Sequence, residues 1–468
     1  MASILFVAYH FAPENVSGTH RSLHFARALV DAGHSVSVLA GPPPSAARSD
    51  PGLQRVFPWV DRVHRVATPT SIGSLYMRWK ARRALGGVTQ TAVVSAPRNG
   101  GSVRKPGWLD NAVAQVRRHL SVWDVLPDPY RPWTSAALRA GTALGRRINA
   151  DVVIASGPPW TGVRVGHRIA RRLGVPFISD FRDPWSSGSG ATWRADTEWA
   201  QRRVERWEAT VLRDSSLVCF NSPRVASTAA AITPLGDRVR VILNGSDVPR
   251  QKSPSVVPNT SPLRLRHIGS LYHGRSVVPL VRALDQLIAA GDLAPEEILL
   301  ELIGDMEPSA GYAGIGDTKV PLHFSPHVPF TEVAKRMGEP CVLVMVQTEL
   351  YANQIPTKLF DYLCTGNTVL VLAPRSSAGW DVASQFPRCL HIDLEVTQRN
   401  REIIRELIAA WRRGELRQEA SADDTRHLGK QVIGAEFVRL VEDVIARRRH
   451  ASGRIARVAP PAVAGVTR

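Results

Sequence analysis

The residues best suited to chemistry form one run, Asn353-Gln354-Ile355-Pro356-Thr357-Lys358-Leu359-Phe360-Asp361-Tyr362-Leu363-Cys364-Thr365-Gly366. Pro356 suits the first position of a helix, where a missing amide hydrogen costs nothing, and Gly366 suits its end. Such a helix turns the unsatisfied amides of Thr357 and Lys358 outward at the positive end of its dipole, where a diphosphate can sit. Lys358 adds a full positive charge. Asp361, one turn on, shares that face and can accept hydrogen bonds from a ribose diol. Taken alone, the run reads equally as an ordinary surface helix with a proline start.

Other chemistry-bearing segments lie at the expected ends of strands. Gly269-Ser270-Leu271-Tyr272-His273-Gly274-Arg275 brings a second cation. Pro13-Glu14-Asn15-Val16-Ser17-Gly18 is a polar loop whose glycine permits close backbone approach. Ser156-Gly157-Pro158-Pro159-Trp160 and Asp180-Phe181-Arg182-Asp183-Pro184-Trp185 follow two further strands; the Asp-Arg-Asp run also reads as a structural ion-pair knot. No Asp-x-Asp occurs, and no His/carboxylate set has metal-ligand spacing. The four cysteines are far apart and form no CxxC pair, which suits buried apolar roles in a reducing compartment.

Alternating elements must position these residues. A strand at Ile4–Ala8, a helix closed by Gly33 and a strand at Ser35–Ala40 open the chain as a strand–loop–helix–strand unit. The stretch from about 42 to 149 has no clear period and is expected as an irregular insertion. Regularity returns with strand Asp151–Ala155, helix Val163–Leu173, strand Val175–Asp180, helix Thr197–Leu212 and strand Leu217–Phe220. Residues 249–262, rich in Pro and Ser, read as a linker after a first domain of residues 1–248. A second alternating series fills 263–432, from strand Leu263–Ile268 through helix Thr357–Cys364 to strand Val369–Leu372. A helix around Gly434–Ala446, within 433–450, is expected to pack back on the first domain, with a disordered basic tail at 451–468. The fold class is α/β: two doubly wound Rossmann-like domains with an interdomain cleft at the carboxyl ends of their strands.

Length and charge bound the function. At 468 residues the chain exceeds one ordinary core. The 59 Lys and Arg against 41 Asp and Glu give a net charge of +18. From Arg78 to Arg118 nine basic residues face only Asp110, interleaved with Trp79 and Trp108. Three readings stay open for this charge. Nucleic acid is disfavoured, because no recognisable binding module accompanies it. A solvated basic face is the plain reading, and an anionic membrane surface is the third, since basic residues with interfacial tryptophans suit peripheral attachment. No apolar run reaches the roughly 18–20 residues of a membrane span, so a cytoplasmic protein is expected, peripheral at the inner face of the plasma membrane on the third reading.

The sequence resembles the retaining glycosyltransferases of family 4, which have the GT-B fold. Asp361-Tyr362-Leu363-Cys364-Thr365-Gly366 is similar to the second half of the family's donor motif, with Asp for Glu, and Asn353 stands where its first glutamate belongs. Arg275 matches a lysine position in the family's glycine turn, and Ser270 replaces an arginine there. His327-Val328-Pro329 resembles the loop that receives the base; Pro13–Gly18 resembles the family's glycine loop; and Asp183 matches the Asp of its "His-Asp", with Arg182 in the histidine's place. The resemblance implies a hexosyltransferase using a nucleoside-diphosphate sugar as co-substrate, with no cofactor and no metal. It implies Arg275, Lys358 and Asp183 as catalytic groups. Gly18, Ser270, His327, Val328, Asn353, Pro356, Thr357 and Asp361 would bind the donor, and Glu14, Asn15, Ser156 and Arg182 would face a glycan or lipid-linked acceptor, in cell-surface polysaccharide or glycolipid synthesis. A nucleotide-sugar 2-epimerase of the same fold and an inactive nucleotide-sugar-binding protein are the alternatives.

Overall fold

The computed structural model describes residues 1–46, 49–50, 52–53, 62–69, 126–187, 197–260, 262–272, 274–305, 315–326, 328 and 330–457. The basic segment 78–118 and the residues beyond 457 therefore lie outside the described residues. The chain divides into two compact units. The first comprises Met1–Val218, Ile232–Arg238 and Val441–Arg468; the second comprises Cys219–Ala231 and Val239–Leu440.

The first sheet contains β1 (Ser3–Val7), β2 (Ser35–Ala40), β3 (Val63–Arg65), β4 (Val152–Gly157), β5 (Phe177–Phe181), β6 (Leu217–Phe220) and β7 (Val239–Val241), in the order β3-β2-β1-β4-β5-β6-β7. Pairing is parallel from β3 through β5. The unit boundary passes through β6. Ile4 to Val7 and Val152 to Ala155 are fully buried; a central parallel strand is covered on both faces, so its sequence is a continuous apolar run. Helices α1 (Ser17–Asp31), α2 (Thr134–Arg147), α3 (Trp160–Leu173) and α4 (Glu198–Asp214) belong to this unit.

Helix α2 corrects the expectation of an irregular stretch from 42 to 149. Its buried face is Ala137, Leu138, Gly141, Thr142, Leu144 and Gly145, too small and polar to register as a leucine stripe. The glycines let α2 lie close on α3: a Cβ on Gly141 or Gly145 would come within 2.4 Å of Ile169 Cδ1 or Leu173 Cδ1.

The second sheet contains β9 (Leu263–Ile268), β10 (Ile298–Ile303), β11 (Leu322–Ser325), β12 (Val342–Val346), β13 (Thr368–Leu372) and β14 (Cys389–Ile392), all parallel, in the order β11-β10-β9-β12-β13-β14. Helix α5 (Pro223–Ala230) lies against β7, and around the second sheet lie α6 (Val278–Ala289), α7 (Phe330–Gly338), α8 (Thr357–Cys364), α9 (Ala378–Ala383) and α10 (Gln398–Arg412). Both sheets reverse strand order beside their first strand, between β1 and β4 and between β9 and β12. In doubly wound sheets ligands bind at the carboxyl ends of strands at that reversal.

Residues 249–262, expected as a linker, are built into the second unit. Ser255–Val256 (β8) pairs antiparallel with Arg417–Gln418 (β15), the Gln251 amide donates to the Cys364 carbonyl at 3.2 Å, and Val257 is buried. The last helix, α11 (Lys430–Arg457), is longer at both ends than the span read from sequence. Gly434 is absorbed in its interior, and the Ala- and Arg-rich residues past 450 are good helix formers that continue it. From Val441 onward it belongs to the first unit, where Glu442 meets His34 at 3.2 Å and Arg449 meets Asp151 at 3.1 Å.

Candidate functional site

In the second unit the site is built by α8 and the turn after β9. Leu359, Phe360 and Leu363 are fully buried and anchor α8, each worth about 1.5–3 kcal/mol of apolar burial. Tyr362 ties the helix to the strand: the Ile268 amide donates to its hydroxyl at 3.0 Å, and the hydroxyl lies 3.4 Å from the Ile268 carbonyl. Pro356 is the residue before the helix, not its first turn. Its ψ of 126° is extended, and its carbonyl accepts the Leu359 amide at 3.0 Å. That corrects the sequence expectation by one position and leaves the amides of Thr357 and Lys358 without helical partners. Gly366 ends the helix with φ +73°, as a terminal glycine does. Tyr362→Phe should destabilise the protein by about 1–3 kcal/mol, because it strands the buried Ile268 amide; a thermal melt indistinguishable from wild type would contradict this.

The turn after β9 brings two cations together. Gly269 has φ +139°, and a Cβ there would fall 1.3 Å from Lys358 Nζ; the ammonium occupies the space a side chain would fill. Gly304 (φ +129°) packs against the Gly269 backbone, where a Cβ would come within 2.8 Å. The Arg275 guanidinium stacks 4.5 Å from the Tyr272 ring centroid and 5.1 Å from that of Tyr351. Burial, and then repulsion from Arg275, push Lys358 down to about 8, against the attraction of Asp361. Neither cation has an ion-pair partner among the described residues. His267 beneath them is pushed down to about 4 by burial and by Lys358. It is therefore neutral, donating from Nδ1 to the Val344 carbonyl at 2.9 Å.

Burial pushes Asp361 up to about 6, against a 2.6 Å hydrogen bond from Ser246 and the charge of Lys430. Lys430 itself pairs with Asp247 at 2.7 Å. Ser246 occupies Oδ1 of Asp361, and Oδ2 makes no hydrogen bond among the described residues. Asn244 lies 3.3 Å from the Thr357 hydroxyl. The Asn353 carbonyl accepts from the Ser222 hydroxyl at 2.7 Å. Ser270 is half-buried beside Gly269, and Val328 packs against the core. His327 lies outside the described residues.

In the first unit the residues gather at the ends of β1, β4 and β5. Gly18 sits in the first turn of α1, and a Cβ there would come within 2.7 Å of Arg182 Nη1. Arg182 donates from Nε to the Gly157 carbonyl at 3.3 Å. Burial pushes it down, while Asp183 and Asp180 pull it up. Burial pushes Asp183 up, against Arg182. Ser156 donates to Asp180 at 2.7 Å, and Arg21 grips the same carboxylate from Nε and Nη2 at 3.1 and 2.8 Å. Arg21 and Asp180 are both buried. The expected ion-pair knot therefore joins Asp180 to Arg21 and Ser156, which gives the Ser156 hydroxyl a structural task. Asn15 is exposed, 3.1 Å from His20 and 3.4 Å from Asp50. Glu14 is buried and meets His10 at 2.8 Å.

Each unit thus places a polar, glycine-lined site at its strand-order reversal, one of them doubly cationic. Residues 85–245 match the family model of a glycosyl transferase 4-like domain. The chain has the GT-B fold. Among solved structures, the chain resembles HepE of Anabaena in complex with UDP, at 12% identity and a TM-score of 0.54, covering 98% of this chain and 100% of that one. HepE in complex with UDP-glucose gives 12% identity and 0.50 over the same shares. Sucrose-phosphate synthase of Thermosynechococcus elongatus gives 13% and 0.52, again over 98% and 100%. At such identities these likenesses establish the fold. No curated protein sequence matches the chain.

Two participants escaped the sequence reading. Arg21 is a buried cation 159 residues from Asp180, with no local signal. His10 belongs to no motif, although its spacing of four from Glu14 is the signal of a pair. Among the described residues no three His, Cys, Asp or Glu side chains are grouped to hold a metal ion, and no helix is long and apolar enough to cross a membrane.

Proposed function

We propose that this protein is a glycosyltransferase that moves a hexose from a nucleoside-diphosphate sugar to an acceptor hydroxyl, retaining configuration at the anomeric carbon. The observation that carries the donor assignment is the pair Lys358 and Arg275, two unpaired cations held together at the end of β9 against mutual repulsion. A departing diphosphate relieves that repulsion, and charge stabilisation of the leaving group is the main demand of the reaction. The amides of Thr357 and Lys358 add to it, and the free Oδ2 of Asp361 suits a ribose hydroxyl. In this reading these groups neutralise the diphosphate without a metal. Asn353 would contact the sugar, and Asp183 with Arg182 and Gly18 the reacting end. Attack from the face of departure follows from the family resemblance.

A glycan or lipid-linked acceptor, in polysaccharide or glycolipid synthesis at a cytoplasmic anionic membrane face, is the proposed setting. The exposed Arg146, Arg147, Arg168, Arg171 and Arg172 on α2 and α3 support it, with the basic run 78–118. A thermal-shift panel of nucleoside diphosphates and their sugars tests the donor reading. A clear preference for one base is expected, and binding of none would sink it.

Lys358 also fixes a pH dependence. A bound diphosphate favours the ammonium, whereas the free protein holds Lys358 at about 8, below its ordinary 10.5. As pH rises through 8 the free protein loses this charge, so binding must take up a proton. UDP affinity should fall between pH 8 and 10.5 in wild type and not in Lys358→Met. Calorimetry in buffers of different ionisation heat should show proton uptake near pH 9; none in wild type would contradict the placement of phosphate at Lys358.

A further inference from the structure

We propose that Tyr272 and Tyr351 form an aromatic seat that holds the Arg275 guanidinium beside Lys358 for the diphosphate, an inference that rests on the donor reading above. The guanidinium carbon lies over the Tyr272 ring, 4.5 Å from its centroid, and over the Tyr351 ring, 5.1 Å from its centroid. Its Nε is buried and has no hydrogen-bond partner among the described residues. No carboxylate among them pairs with the guanidinium. Ring faces hold this cation, and they do so within the second unit alone.

The backbone sets both rings. In the turn after β9 the Arg275 amide donates to the Tyr272 carbonyl at 3.2 Å, and Gly274 supplies the left-handed φ of +77° that the turn needs. The first and last residues of such a turn lie side by side, so Tyr272 meets Arg275. The turn itself is tied down: Leu271 is fully buried, and its amide donates to the Asp305 carbonyl at 3.0 Å. Tyr351 follows β12 in a loop pinned by Gln347, which is itself buried. Gln347 Nε2 donates to the Tyr351 and Gln354 carbonyls, each at 2.7 Å. The Ala378 amide donates to the Ala352 carbonyl at 2.7 Å. That loop runs directly into α8, so one pinned segment carries both the Tyr351 ring and the helix of Lys358.

The chemistry of arginine accounts for the arrangement. An aromatic ring attracts the face of a guanidinium, whereas oxygen acceptors take its N–H groups in the plane. The two uses do not compete, so the rings can hold the cation and leave its donor edge to phosphate. They also hold it against the repulsion of Lys358. Tyr272 is 41% exposed and Tyr351 half-buried, so neither ring is placed for core packing. Both are positioning residues, because they act through Arg275.

Calorimetric titration of UDP into the full chain at pH 7 tests the seat. Tyr272→Leu and Tyr351→Leu should each weaken UDP binding about three- to tenfold. Phenylalanine at either position keeps the ring face and should restore most of the affinity. The deciding readout is coupling: in an Arg275→Met background neither leucine substitution should weaken UDP further, since the rings act only through that cation. Tyr272 lies on an exposed turn, so Tyr272→Leu carries the test even where Tyr351→Leu unfolds. Leucine variants that bind UDP as tightly as wild type overturn the seat. So does a loss that persists undiminished in the Arg275→Met background, and so do phenylalanine variants as weak as the leucine ones. A wild type that binds no UDP, or an Arg275→Met protein that binds it as tightly as wild type, overturns the donor reading instead.

Discussion

Lys358→Met is expected to slow transfer by about 100- to 1,000-fold, the usual cost of removing one charge that stabilises a departing group in a partly dry site. The fold should survive: Lys358 forms no ion pair among the described residues, and its removal relieves repulsion on Arg275. The melting temperature should hold or rise while turnover collapses. Gly269→Ala should reproduce much of this loss from the other side. A methyl group there would occupy the position of Lys358 Nζ, on a backbone of φ +139° that side chains resist. Both variants turning over donor at the wild-type rate would end the assignment of this site.

Arg21→Met is expected to be the most damaging single change to stability in the first unit. Arg21 holds Asp180 through two donors at 2.8 and 3.1 Å, and both side chains are buried. Removing one partner of a buried pair leaves an uncompensated charge, at a cost of about 3–5 kcal/mol. Ser156 alone cannot supply that charge. Adding Asp180→Asn should restore part of the loss, since the remaining polar group is neutral. Thermal unfolding of the two variants checks this. An Arg21→Met protein as stable as wild type would show that Asp180 is not the charged centre of the unit.

The elements around the donor site were legible because their chemistry is local. β9, α8 and, within one residue, β13 fall where the sequence places them, since a buried parallel strand is an unbroken apolar run and a proline and a glycine bracket the helix. The pairing of Lys358 with Gly269 was not legible: the two lie 89 residues apart, and only the close approach of two turns shows why that position must lack a side chain. α2 hid because glycine, alanine and threonine form its buried face. α10 carries Ile404, Leu407, Ile408 and Trp411 at helical spacing, a signal legible in the sequence. The supposed linker 249–262 reads as flexible from its prolines and serines, yet its backbone is paired with a strand more than 150 residues away. In the first unit the Asp-Arg-Asp run announced an ion pair without naming its partner, because Arg21 reaches Asp180 only through the fold.

The most direct measurement is calorimetric titration of UDP into wild type, Lys358→Met and Arg275→Met at pH 7. The expected result is binding to wild type, with affinity lowered at least about tenfold in each variant while all three unfold at similar temperatures. Undiminished UDP binding by both variants would contradict the central claim, that these two cations hold the diphosphate of the donor.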